Sequence, residues 1–227
     1  DWSSDVCSSD HFEKLFDALC RRRGYSYQPI FMEPHSGSSN CTDVIKIVDR
    51  LRLAGSDSVW GIVDYDGVNM TRDNLLVLGE NKRYAIENYI LDPLYVTFAL
   101  IRERKFSFGD FGVTSRVTYP EASCLTESEC QTLVDNFLVR VGFALEDLVP
   151  VVLENEYIIN YPKLCLMYQG HEYEKLIKDK FKELNVISKG NGDSALKLGV
   201  SEVIAEFPQF LPKEVGDLFS FLDEGRE

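Results

Sequence analysis

Two aspartates two residues apart follow an apolar run in VWGIVDYDG, residues 59 to 67. Side chains alternate along a strand, so Asp64 and Asp66 project to one side while Tyr65 points away, and two carboxylates converge just past a buried strand. In an open α/β sheet, ligands bind outside the carboxyl ends of the strands. Two carboxylates in one crevice repel each other, and a hard divalent cation removes that repulsion. Mg²⁺ takes one or two carboxylates and fills its other positions with water and phosphate oxygens. The chemistry open to this pair is therefore metal-phosphate chemistry, with Mg²⁺ or Mn²⁺ as the ion. The same residues also suit a plain structural role, Asp66-Gly67 as a polar turn leaving the strand and Asp64 as a brace for a neighbouring loop.

Other residues could join the pair. Glu87, in IENYI, supplies a third carboxylate, although near the exposed N–H groups of a helix start it would also stabilise by roughly 0.3 to 1 kcal/mol with no ion involved. Lys82 and Arg83 just upstream are candidates for contacts to nucleic-acid phosphates, or for simple solvation. The Arg102, Arg104 and Lys105 cluster at a helix end has the same two readings. His171 opens a helix after a strand, where a base or a structural histidine would each fit.

The elements that must position these residues follow from periodicity and punctuation. HFEKLFDALCRRR places Phe12, Leu15, Phe16 and Leu19 on one helical face and ends in three arginines. YSYQPIFM reads as a strand. Thr42 is placed to cap the helix DVIKIVDRLRLAG, with Gly55 beyond its end. VWGIVDYDG and NLLVLG are short apolar strands of the kind a parallel sheet covers on both faces. Asp92 as cap with Pro93 at the first position starts the helix DPLYVTFALIRER, and Thr126 with Glu129 forms a capping box for TESECQTLVDNFLVRVGFA. VPVVLENEYIINYPKLCLMYQ suggests two strands, HEYEKLIKDKFKELN and LPKEVGDLFSFLDE two helices, and KGNGDS, residues 189 to 194, a mobile loop.

Several families place D-x-D after an apolar strand. A calcium EF-hand needs its glycine where Asn69 stands. Haloacid-dehalogenase-like phosphatases resemble VDYDGV but carry it on their first strand. The order and spacing of D-V-I-K-I-V, V-W-G-I-V-D-Y-D-G, N-L-L-V-L and R-Y-A-I-E-N-Y-I-L, between residues 42 and 105, resemble the TOPRIM-like domains of the OLD nuclease family, in particular a branch found beside AAA-type ATPases. The likeness continues more weakly through Y-P-K-L-C-L-M-Y-Q-G-H-E. It implies an α/β fold with a TOPRIM-like (Rossmann-like), mostly parallel sheet and flanking helices over residues 11–105, followed by a mixed α+β accessory region over 106–227. It implies a Mg²⁺- or Mn²⁺-dependent nuclease acting on nucleic acid, DNA before RNA, in phage defence or DNA repair, with an AAA-type ATPase partner. Asp64 and Asp66 match the D-x-D, and Glu87 a recurrent acidic position. The leading glutamate of such proteins, expected just before HFEKLFDAL, has no counterpart. The opening DWSSDVCSSD instead resembles an in-frame translation of a sequencing adapter, so residues 1–10 are expected to be a disordered scar and this chain to be inactive as a nuclease; Asp10, three residues before Glu13, could still cap the first helix. A non-catalytic binding module on the same fold is the rival reading, and the phosphatase a weaker one.

Composition bounds these expectations. With 227 residues, 44% of them hydrophobic, the chain can bury a substantial core. A net charge of -13 leaves no general nucleic-acid surface, so any such contact rests on local patches and weakens steeply with salt. The longest apolar stretch is broken by Asp92 and Pro93, which argues against a membrane span. Beyond the opening string stand Cys20, Cys41, Cys124, Cys130 and Cys165, an odd number without a C-x-x-C pair, which points to reduced thiols and a cytoplasmic setting.

Overall fold

In a computed structural model of the chain, residues 8–32, 41–187 and 195–224 are described. Phe12, Leu15, Phe16 and Leu19 form the buried stripe of helix α1 (Ser8–Arg23). The helix starts ahead of His11, so Asp10 lies inside its first turn instead of capping it, and the last three adapter-like residues are helical. Residues 25–32 correct the expectation of a strand: no strand forms there. Their aromatic side chains pack on helices instead. Tyr25 stacks on Phe16 with ring centroids 5.1 Å apart, the Tyr27 hydroxyl donates to the Phe219 carbonyl at 3.0 Å, and the Ser26 N–H donates to the Asp223 carboxylate at 3.0 Å. Side-chain partners thus replace a neighbouring strand.

Helix α2 (Cys41–Leu53) begins before Thr42, which is therefore not its cap, and Gly55 follows it in the left-handed region. It lies over strand β1 (Gly61–Asp64), which pairs in parallel with β2 (Leu75–Leu78), Gly61 opposite Leu75 and Asp64 opposite Leu78. Gly61 permits this close packing, since a Cβ there would come within 2.8 Å of the Leu75 side chain and 3.0 Å of Val48. The expected mostly parallel sheet is thus a two-stranded pair among the described residues.

Asp92 and Pro93 act as the sequence implies. After the short α3 (Glu87–Ile90), the Asp92 side chain accepts the Leu94 N–H at the start of α4 (Pro93–Arg102), which is buried from Pro93 through Ile101. α5 (Glu127–Val141) carries the Thr126–Glu129 capping box and ends at left-handed Gly142. The two later strands are β3 (Leu148–Val152) and β4 (Ile158–Pro162), an antiparallel hairpin. Helices α6 (Lys163–Leu166), α7 (Gly170–Lys180), α8 (Leu184–Ile187), α9 (Ala195–Glu206) and α10 (Lys213–Glu224) complete the mixed α/β chain. The loop at 189–194 lies outside the described residues.

One cluster of buried side chains runs from Phe12 to Leu222, so the core is continuous across residue 105. α4 packs on α5 and α9, and α1 on α9 and α10. Phe98 shows the packing: its ring meets those of Phe207 and Phe210 with centroids 5.4 and 5.6 Å apart. The described cysteines are free thiols, and no described helix is long and apolar enough to cross a membrane.

Candidate functional site

β1 delivers Asp64 at its last position, and the chain then turns through Asp66 and Gly67, both with positive φ (48° and 76°). Aspartate and glycine tolerate that left-handed backbone better than most residues, which is why D-x-D-G can leave a strand so sharply. The turn is pinned on two sides. Asn69 donates to the Asp64 carbonyl at 2.7 Å, and the Asp66 N–H donates to the Tyr84 carbonyl at 2.9 Å. The Asp64 carboxyl accepts the Ile86 N–H at 2.8 Å, and the Asp66 carboxylate accepts the Cys41 thiol at 3.2 Å. Burial, followed by the Asp66 hydrogen bond, pushes the Cys41 thiol up to about 11.

Asp64 is where the charges meet. Burial raises its pKa well above the ordinary carboxyl value; the nearby charges of Glu87 and then Asp66 push the same way, against the Ile86 N–H and Lys197. Asp64, Asp66 and Glu87 therefore share one electrostatic neighbourhood. Glu87 opens α3, where Lys197 of α9 reaches it at 3.2 Å; Lys197 lies 3.9 Å from Glu174, which Lys178 pairs at 2.5 Å. Gly170 at the head of α7 lets that helix close on Glu87, because a Cβ there would stand 2.7 Å from its carboxylate. Lys197, Glu174, Cys41 and Tyr84 were not singled out by sequence. A lysine inside the apolar run ALKLGV is a signal that could have flagged Lys197.

His11, also missed, is 2% exposed, and neither ring nitrogen has a hydrogen-bond partner. Burial, then the Lys197 charge, lowers its pKa from 6.5 to about 4. The folded protein thus keeps His11 neutral where the unfolded chain takes up a proton, so its contribution is present above pH 6.5 and is lost as pH falls toward 4. The slope is about 1.4 kcal/mol per pH unit within that window, or about 3 kcal/mol in all. Asp64 acts oppositely, its folded form holding a proton above 3.8 and losing stability as pH rises. His11→Leu is therefore expected to remove the acid-side loss and leave the Asp64 slope uncovered. Urea denaturation between pH 4 and 7 checks this, and an unchanged acid limb in the variant would refute it.

Arg83 is corrected as a nucleic-acid contact. It is 1% exposed, paired with Asp92 at 2.8 Å, bonded to the Asn88 carbonyl and flanked by the rings of Tyr89 and Tyr161, so it cannot reach a phosphate in solvent. Lys82 remains largely exposed but pairs with Glu214 at 2.9 Å. Arg102 pairs with Glu202 and Glu206, and His171 is exposed in the first turn of α7.

The acid pair offers hard carboxylate oxygens, the donor type that Mg²⁺ and Mn²⁺ prefer, in the one-or-two-carboxylate number that suits an ion keeping most of its waters. It does not extend to a larger cage: among the described residues no group of three or more His, Cys, Asp or Glu side chains is arranged to hold an ion. Comparison with protein-family models, curated proteins and solved structures finds no match to this chain.

Proposed function

We propose that this chain carries the metal pair, Asp64 and Asp66, of a TOPRIM-like, Mg²⁺- or Mn²⁺-dependent phosphodiesterase acting on nucleic acid, and that, with no counterpart to the leading glutamate of such proteins, it does not itself cleave. The observation supporting this reading is the gathering of carboxylates at the end of a parallel strand, where burial first, and then the charges of Glu87 and Asp66, hold Asp64 well above the ordinary carboxyl range. A bound divalent ion would offset that repulsion, activate water and stabilise the charge developing on a phosphate. The chain's own part is to fix Asp64 on the Ile86 N–H and to aim Asp66 through the left-handed turn. Glu87, already engaged by Lys197, tunes the charge around Asp64 from one side. The resemblance of residues 42 to 105 adds a role in phage defence or DNA repair with an AAA-type ATPase partner, and the unpaired cysteines add a cytoplasmic setting.

A second reading, a non-catalytic module on the same fold, is favoured by the 3.2 Å Lys197–Glu87 pair, in which a protein cation already neutralises one carboxylate. Titration calorimetry with Mn²⁺ on the wild type and Asp66→Asn separates the cases when joined to an assay on labelled DNA. Removing one ligand charge is expected to weaken Mn²⁺ binding at least about tenfold, a loss of about 1.4 kcal/mol. Cleavage that disappears in Asp66→Asn supports the phosphodiesterase but overturns the inactivity of this chain. Mn²⁺ binding without cleavage is the result expected in the absence of the leading glutamate, no Mn²⁺ binding by the wild type supports the module, and equal Mn²⁺ affinity in both proteins overturns the metal pair.

A further inference from the structure

All 11 tyrosines lie among the described residues, and ten of them use their rings or hydroxyls within the protein. Tyr25 and Tyr27 pack on Phe16; Tyr89, Tyr95, Tyr157 and Tyr161 donate their hydroxyls to Glu214, Phe207, Leu125 and Asp92. Tyr119 bonds Glu206, Tyr65 bonds Asn81, and Tyr168 and Tyr173 meet each other. Tyr84 alone has neither an aromatic neighbour nor a hydroxyl partner among the described residues.

Its position gives that freedom a use. The main chain of Tyr84 is fixed on both sides, its carbonyl accepting the Asp66 N–H at 2.9 Å and its N–H donating to the Leu166 carbonyl at 3.0 Å. The side chain is only partly buried and lies against the D-x-D-G turn, a ring carbon 3.9 Å from where a Cβ on Gly67 would stand. Asp66 is close enough to help raise the phenol's pKa, after burial. The next side chain on that turn, Val68, is 77% exposed. A partly exposed aromatic ring therefore borders the turn that carries Asp66, on a main chain held from both sides, with an exposed apolar side chain on the same turn.

An aromatic face of this kind recognises a nucleobase taken out of its stack. A base inside a duplex keeps both faces covered by its neighbours, whereas an unpaired base offers a free one, and stacking on a side chain contributes about 1 to 3 kcal/mol per base. The acidic surroundings repel phosphate, so such a strand would be held only when a cation sits on the carboxylates. We propose that Tyr84 is the stacking platform for an unpaired base of a single-stranded nucleic acid whose phosphate is held at Asp64 and Asp66; this rests on reading that pair as a metal-phosphate site.

The test uses a fluorescein-labelled, hydrolysis-resistant phosphorothioate oligothymidylate and its duplex with oligoadenylate, with Mn²⁺, followed by anisotropy. Tyr84→Ala should weaken single-strand binding about 5- to 150-fold, the equivalent of one lost stack. Tyr84→Phe should bind as the wild type does, because the ring and not the hydroxyl carries the contact, and the duplex should bind more weakly than the single strand. Mn²⁺ affinity, measured separately by calorimetry, should be the same in all three proteins. Wild-type binding of the single strand by Tyr84→Ala, or an equal loss in Tyr84→Phe, overturns the stacking role while leaving the metal pair standing. Absence of Mn²⁺ binding in the wild type overturns the reading on which the proposal rests.

Discussion

Arg83→Met is expected to lower the unfolding free energy by about 3 to 5 kcal/mol, the cost of leaving a buried charge without its partner. The guanidinium donates to Asp92 at 2.8 Å and to the Asn88 carbonyl, with its carbon 4.8 Å from the centre of the Tyr89 ring and 5.3 Å from that of Tyr161. Both charges are almost wholly buried, at 1% and 3% side-chain exposure. Methionine fills much of the volume but neutralises nothing, so the Asp92 carboxylate would remain charged in the core. Asp92 also accepts the Leu94 N–H and the Tyr161 hydroxyl, each at 3.0 Å, so removing its side chain would cost the α4 cap as well. Asn at 92 keeps an oxygen for that cap and carries no charge. Adding Asp92→Asn to Arg83→Met should therefore recover part of the loss, with a coupling of about 0.5 to 3 kcal/mol in the double-mutant cycle. Urea denaturation of the four proteins measures it. A single-mutant cost below about 1 kcal/mol would place Arg83 among ordinary surface pairs and contradict its burial.

Arg83 also marks where sequence reasoning ran out. A dibasic loop looks solvated, and it is Asp92, nine residues on, together with the Asn88 carbonyl and the rings of Tyr89 and, far along the chain on β4, Tyr161, that make burial of a guanidinium tolerable. Elements stabilised locally were readable. Asp92–Pro93 and Thr126–Glu129 carry their hydrogen bonds within three residues, and β1 and β2 declare themselves as short apolar runs. YSYQPIFM misled because its alternating aromatics answer to Phe16 and Phe219, an environment that periodicity alone cannot distinguish from a sheet face. The candidate site divides in the same way. Asp64 and Asp66 were named from i, i+2 spacing after an apolar run, but the strand ends at Asp64 and Asp66 lies beyond it in a left-handed turn, so strand alternation does not set their relative direction. Lys197 lies 110 residues from the carboxylate it pairs with, and His11 acquires its meaning only when α1 packs on α9. Tyr84 was hidden differently, since an unpartnered ring stands out only when every other tyrosine has been accounted for.

Asp64→Asn is expected to stabilise the ion-free protein at neutral pH and to abolish its stabilisation by Mn²⁺. In the unfolded chain the Asp64 carboxyl has lost its proton above 3.8, whereas in the folded protein burial, Glu87 and Asp66 keep the proton bound to higher pH. Folding must therefore either take up a proton or bury a repelled charge, and stability falls as pH rises from 3.8 through the folded pKa, then levels. Asparagine has nearly the same shape and can still accept the Ile86 N–H, but it has no proton to lose, so this part of the pH dependence should vanish. The gain should accordingly be smallest at the acid end and largest at neutral pH. A divalent ion reverses the balance, because it favours the charged carboxyl that burial and the neighbouring carboxylates penalise. At a hundredfold excess over its dissociation constant, an ion binding only the folded state adds about 2.7 kcal/mol to the wild type. The variant should gain little, having lost one ligand charge. Thermal melts between pH 5 and 8, in EDTA and then in Mn²⁺, should show the variant melting higher in the first series, with its advantage cut or reversed in the second. Lower stability of Asp64→Asn in EDTA at neutral pH would overturn the buried-charge account, and an equal rise in Tm with Mn²⁺ for both proteins would remove Asp64 from the metal pair. If both parts hold, the strain at the end of β1 is the kind that a functional site retains because a ligand relieves it.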